Sequence, residues 1–241
     1  MLGNTSTRSG FAHNGINALV LVLSMFLILS LSVSSAFAAA DVSVTFPNGG
    51  EYWADTQTVT WTSDTDPALG WQINLYWNSG TESSTLVPYI AGTARSWDSF
   101  DTTGFSDGSD YFVEIVNRDD YIPTLSNTFI IDNTAPEVST VSVAYPGTQA
   151  ESKNIDEVTL TTTVSDSPAG ISSVTIDASN IGGGASVTMY DDGSNGGDAT
   201  ADDNTYTAQI TVSGTSGDDY QTVTATATDN AGNTNTNTGT V

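Results

Sequence analysis

Five carboxylates stand within thirteen residues between Met189 and Tyr206: Asp191, Asp192, Asp198, Asp202 and Asp203. Glycines and asparagines are interleaved with them, in the order Asp191-Asp192-Gly193-Ser194-Asn195-Gly196-Gly197-Asp198, and no lysine or arginine is nearby in sequence. Like charges at this density repel one another unless a cation sits among them. Glycine-rich turns studded with short oxygen-bearing side chains are also the chemistry that wraps a hard divalent ion, which takes six to eight oxygens. The segment therefore nominates Ca²⁺ as a ligand. It does not nominate a reaction.

The spacing can be tested against the helix-flanked calcium loop, which places oxygens at positions 1, 3, 5, 7, 9 and 12 with glycine at 6. Counted from Asp191, Asn195 falls at 5, Gly196 at 6 and Asp202 at 12. Gly193 at position 3 and a short final Asp depart from that pattern, and the flanking residues Val187–Tyr190 and Thr205–Ile210 read as strands. Two readings stay open. One is a calcium-binding hairpin loop drawing on Asp191, Asp192, Asn195, Asp198 and Asp202. The other is a solvated turn whose Asp, Asn and Gly simply suit left-handed and turn geometry.

Inventory excludes most catalytic chemistry. The chain has no cysteine, and its one histidine, His13, lies in the N-terminal segment. Without them there is no Ser/His/Asp triad, no thiol nucleophile and no usual zinc ligand set downstream. Gly182-Gly183-Gly184 lacks the lysine and helix of a phosphate loop. The expectation is a protein that is not an enzyme.

What must position the acidic loop is a chain of short β-runs. Residues 1–38 read as a secretory signal peptide: Arg8 precedes an apolar run from Ala18 to Val33, then Ala36-Phe37-Ala38 supplies a small-x-small cleavage pattern. An uncleaved N-terminal anchor is the alternative. Downstream, all 28 acidic residues face only Arg95, Arg118 and Lys153, within a net charge of −24. That balance excludes nucleic acid, which needs a basic footprint, and suits a cation-rich exterior.

Alternating Thr, Val, Ile and Tyr mark strands at Val42–Phe46, Gln57–Thr62, Gln72–Trp77, Tyr111–Asn117 and Asn127–Ile131. Others follow at Ser139–Ala144, Val158–Ser165, Ser173–Asp177, Ser186–Tyr190, Thr205–Val212 and Thr222–Thr228. Thr234–Thr238 reads as a polar final strand or a frayed tail. Many short strands at this spacing predict an all-β fold of sandwiches. Asp132-Asn133-Thr134-Ala135-Pro136 interrupts the pattern, and all five tryptophans precede it. Two domains are expected, 41–131 and 132–241. Trp61 and Trp97 read as core residues, and Trp71 and Trp77, six apart, share one face of a strand. An exposed Trp row would instead stack on sugar rings.

Two stretches carry a family likeness. Phe46-Pro47-Asn48-Gly49-Gly50-Glu51-Tyr52-Trp53 with Thr58–Thr62, Ser96-Trp97-Asp98 and Asp107–Tyr111 resembles bacterial and archaeal fibronectin-III or immunoglobulin-like surface modules. Asp132–Pro136 with Ala227–Asn233 resembles bacterial Ig-like repeats, some of which carry an aspartate-rich hairpin like this one. The resemblance implies two tandem immunoglobulin-like β-sandwich domains in a secreted or cell-surface prokaryotic protein. It implies a structural or adhesive role, with other surface or matrix proteins, or further copies of the chain, as partners. A carbohydrate-binding module, or an accessory region of a larger secreted enzyme, is the alternative. It also implies that acids at module joins can bind Ca²⁺, against the reading of Asp132 and Asp229 as Asx turns that flank strands. Here Asp132 is expected to meet loops of the first domain, and Asp229 with Asn230 to lie at the opposite pole.

Overall fold

The computed structural model describes residues 41–147, 156–213 and 220–241. The signal-peptide reading of residues 1–38 falls outside them. Residues Asp41–Val241 form one compact unit, and within it the apolar side chains collect into two separate cores.

Nine strands build the first half: β1 (Val42–Phe46), β2 (Tyr52–Trp53), β3 (Thr56–Ser63), β4 (Trp71–Trp77), β5 (Glu82–Ile90), β6 (Ser96–Asp101), β7 (Gly108–Asn117), β8 (Pro123–Leu125) and β9 (Phe129–Ile131). They sort into a β1-β3-β6 sheet and a β2-β9-β7-β4-β5 sheet, with β8 added beside β7. In β7 the residues alternate between buried and half-buried, so Tyr111, Val113 and Ile115 face inward while Phe112 and Glu114 face out. The inward residues of both sheets enclose Trp53, Val59, Trp61, Trp71, Ile73, Leu75, Phe100 and Phe129. Trp71 and Trp77 lie on one strand facing the same core, as their spacing requires. Filling a sandwich with indoles leaves two of their N–H groups, on Trp53 and Trp61, without a hydrogen-bond acceptor. Both lie among rings: Trp53 against Phe129 at 4.2 Å and Trp61 against Trp71 at 6.0 Å, where a ring face is a weak acceptor.

Tyr111 pins the strand that carries it. Its hydroxyl donates to the Ser106 carbonyl at 2.6 Å, the back-bond of the tyrosine corner found at this turn of immunoglobulin-like sandwiches. Burial, then the charges of Asp110, Asp107 and Glu82, raises this phenol above its ordinary range, so it stays a donor. Tyr111→Phe is expected to cost about 1–2 kcal/mol in urea unfolding, because the carbonyl loses its partner while the ring stays packed.

The second half repeats the plan with β10 (Glu137–Val138), β11 (Ser142–Ala144), β12 (Glu157–Ser165), β13 (Ile171–Asp177), β14 (Val187–Thr188), β15 (Thr205–Thr211), β16 (Thr222–Asp229) and β17 (Thr234–Thr240). One sheet joins β10, β11, β12 and β15, the other β14-β13-β16-β17. Smaller aliphatics fill it, chiefly Val158, Leu160, Val174, Ile176, Ile181, Ile210, Val223 and Ala225. The fold class is therefore all-β, as the alternating runs require.

Besides the two-residue β2, four strands escape the sequence pattern. Strand β5 carries Ser83, Ser84 and Pro88 and has no clean alternation, yet it lies at a sheet edge, where proline is tolerated. Strands β6, β8 and β10 are short or polar and form by pairing. The Thr/Asn tail forms a full strand, β17, with Thr222↔Thr240 through Thr228↔Thr234 in register with β16. Its outer side is held too: the amides of Asn235 and Asn237 donate to the carbonyls of Pro136 and Val138.

Candidate metal centres

The residues between β9 and β10 tie the two cores together. The Asp132 N–H donates to Trp53 O at 2.9 Å. Asn133 looks back to the first core, its amide donating to Thr102 O and Phe105 O while its oxygen accepts from the Thr102 hydroxyl. Asp107 accepts from the Asn133 N–H and the Thr134 hydroxyl. On the other side, Ala169 N–H donates to Asp132 Oδ2 at 2.8 Å, and the Asn233 amide donates to Asp132 O.

This seam gathers three carboxylates. Asp132, Asp166 and Asp229 each place an oxygen within 4.8 Å of the others. Asp132 is 0 % exposed and Asp229 2 %. The expectation that Asp132 and Asp229 sit at opposite poles is thus overturned. The end of β16 and the loop between β12 and β13 both return to the pole where the chain enters the second core, and Asp166 in that loop completes the set. Backbone donors satisfy part of each group: Thr134 N–H and Ala169 N–H reach Asp132, Gly170 N–H reaches Asp166, and Asn233 supplies both its N–H and its amide to Asp229. A carboxylate offers about four lone-pair sites, so acceptor capacity remains. Burial first, and then the charge of Asp132, pushes the Asp166 carboxyl above its ordinary range, against the pull of Gly170 N–H. Among the described residues the one ion pair is Arg95–Asp66, in the first half, so no arginine offsets this cluster.

The aspartate-rich loop runs from β14 to β15, bridged at Tyr190↔Thr207. It brings together two of its expected ligands, Asp191 and Asp198, and adds Asp203, the three again within 4.8 Å. Asp192 and Asn195 form a separate local turn, with Asp192 Oδ1 accepting from Ser194 N–H and Asn195 N–H and Oδ2 from the Asn195 amide. Asp202 is not in the cluster. It adopts a left-handed backbone (φ 57°), and the next residue, Asp203, takes the place. Counting from a helix-flanked template placed the last ligand at Asp202 and missed this one-residue shift in the turn. Asp191 organises the loop, its two oxygens accepting from Asp203 N–H and Asn204 N–H, while Asp198 accepts from Gly193 N–H at 2.6 Å. Gly196 (φ 59°) is essential here, since a Cβ would come within 2.6 Å of Thr207 O.

Charge in the loop is felt by its neighbours. The Tyr206 phenol is raised by burial, then by Asp191 and Asp202. Asp192 is lowered to about 2 by the Asn195 amide first, then by the backbone N–H groups of Asn195 and Ser194. A lowered carboxyl contributes to folding above its ordinary value near 4, and that contribution is lost as pH falls through about 2. Carboxyl-carbon NMR is expected to find Asp192 still mostly ionised at about pH 3. A midpoint near 4 would mean that the Asn195 amide is not engaged.

Both clusters are all-oxygen and anionic, the donor chemistry of Ca²⁺. Neither holds nitrogen or sulfur donors for a transition metal. No described helix is long and apolar enough to cross a membrane. No family model and no curated protein matches the chain. Among solved structures, it is similar to the fibronectin(III)-like modules of Clostridium thermocellum CbhA, with 16 % identity over 83 % of this chain and 92 % of that one and a TM-score of 0.37. It is also similar to a tetra-tandem repeat from the extending region of a large adhesion protein, with 22 % identity over 84 % of this chain and 49 % of that one and a TM-score of 0.27.

Proposed function

We propose that the chain is a secreted or cell-surface structural or adhesive protein of two immunoglobulin-like domains, 41–131 and 132–241, whose joint is stiffened by Ca²⁺. The observation that carries this reading is the seam: two buried carboxylates and a third half-buried one, with no ion-pair partner among the described residues. Buried like charges are costly unless neutralised, and a divalent ion bound by Asp132, Asp166 and Asp229 would supply that neutralisation. The ion would sit where the first core's last strand passes into the second. A second ion at Asp191, Asp198 and Asp203 would brace the β14–β15 loop. That second reading is weaker, because backbone N–H groups already organise the loop. The partners on this reading are other surface or matrix proteins, or further copies of the chain.

Calorimetric titration of the chain from residue 41 with Ca²⁺ tests the proposal, with Asp132→Asn and Asp198→Asn assigning each event. Binding that disappears in Asp132→Asn supports the seam site. Absence of heat at millimolar Ca²⁺, together with an unchanged melting temperature, would sink the metal reading and leave an ion-free module. Against a tryptophan platform, Trp53, Trp61 and Trp71 are buried, Trp77 packs on Phe105 with its N–H committed to Glu82, and the half-buried Trp97 stacks on Phe100.

A further inference from the structure

An open groove of about 660 Å³ runs over the outer face of the first half, where β7 and β8 pair beside the Asn48–Gly50 turn. Its floor is apolar: Phe112, the outward residue of β7, and Leu125, which is 54 % exposed. The Phe112 ring lies parallel to that of Tyr76 on β4, the two stacked at 5.2 Å and 4°. Tyr76 is itself fixed by Glu114, which accepts from the Tyr76 hydroxyl and from the Asn74 amide. The rim is polar. Asn127 spends its NH₂ on Asn48 O, while its side-chain oxygen, the Asn48 amide and the Thr128 hydroxyl make no hydrogen bond among the described residues.

We propose that this groove binds a neutral glycan strand, one sugar face resting on Phe112 and its hydroxyls meeting Asn48, Asn127 and Thr128. Three observations select that chemistry. A chain of net charge −24 repels anions, and its two described arginines are committed elsewhere, Arg95 to Asp66 and Arg118 to Leu69 O. A purely apolar ligand would bury the three free polar groups unpaired, at about 1–3 kcal/mol each. A peptide added as a strand would need an open edge of β7, but β4 lies along one side of that strand and β8 and β9 along the other. A sugar supplies both an apolar C–H face for the ring and hydroxyls for the rim. The site is independent of the seam and of any metal there.

The test is an amide NMR titration of the chain from residue 41 with neutral hexasaccharides of β-1,4-linked glucose, mannose and xylose, and with an anionic hexagalacturonate. At least one neutral probe is expected to shift resonances of residues 48–50, 112 and 125–128, while the anionic probe shifts none of them. Phe112→Ala is expected to weaken binding tenfold or more, equivalent to about 1.4 kcal/mol. Leu125→Ala, at an exposed position, is expected to weaken it less. Lack of any shift with all three neutral probes overturns the proposal. So does binding that survives Phe112→Ala in a folded protein, or equal binding of the anionic probe.

Discussion

Saturating Ca²⁺ is expected to raise the melting temperature of the chain from residue 41 by roughly 5–10 °C over excess chelator, and Asp132→Asn is expected to abolish most of that rise. The magnitude follows from linkage. A ligand at a hundred times its Kd stabilises the state that binds it by about 2.7 kcal/mol, and each kcal/mol moves the midpoint of a unit this size by about 2–4 °C. Asp166→Asn separates a metal site from an ordinary hydrogen-bond network. The Asp166 carboxyl is raised in the fold, mainly by burial and Asp132. A raised carboxyl contributes its stability below its ordinary value and loses it as pH rises through the folded value. Above that folded value and without Ca²⁺, the charge of Asp166 therefore opposes folding. Asp166→Asn should melt higher than the parent in chelator and lower than the parent in Ca²⁺, and the chelator difference should vanish in acid. A variant that is less stable under both conditions would show that Asp166 serves only as an acceptor for Gly170 N–H.

The second large effect is in the first core. Trp71→Ala is expected to lose about 3–5 kcal/mol, the range for emptying a buried indole site, which would remove most of the stability of a first half at the low end of the ordinary range of about 5–15 kcal/mol. Trp71 is fully buried. Its N–H donates to Gly92 O at 2.9 Å, its ring meets Trp61, and the Arg95 guanidinium lies 5.7 Å from the ring centre. Trp61 differs in one respect, because its N–H has no acceptor. Trp61→Phe should therefore cost less than Trp71→Phe, which strips a hydrogen bond as well as volume. Guanidinium unfolding followed by tryptophan fluorescence measures both. Equal costs would mean that the Gly92 bond adds nothing net.

The sandwich class was legible because period-two burial in β7, β12 and β16 is written directly as alternating Val, Ile, Leu, Ala and Thr. The acidic loop was legible as a charge anomaly, since two of its three clustered carboxylates were foreseen. The third was not. Whether Asp202 or Asp203 turns inward depends on a left-handed residue that several sequences could place on either side. The seam was the larger miss. Asp132, Asp166 and Asp229 are up to 97 residues apart (229 − 132), and their meeting depends on which pole each connection returns to. Periodicity within a strand carries no information on that. Asp166 itself, between Ser165 and Ser167, looks like any polar turn residue.

Residues 132–134 also bear on elasticity. A flexible tether between modules acts as an entropic spring, whose end-to-end distance fluctuates with the square root of its length. Here every one of the three residues is fixed by side-chain or backbone bonds to Trp53, Thr102, Phe105, Asp107, Ala169 or Asn233. No free dihedrals are left to store slack. Under tension such a pair has little soft extension to give, and it would lengthen by rupturing the seam or by unravelling a whole core.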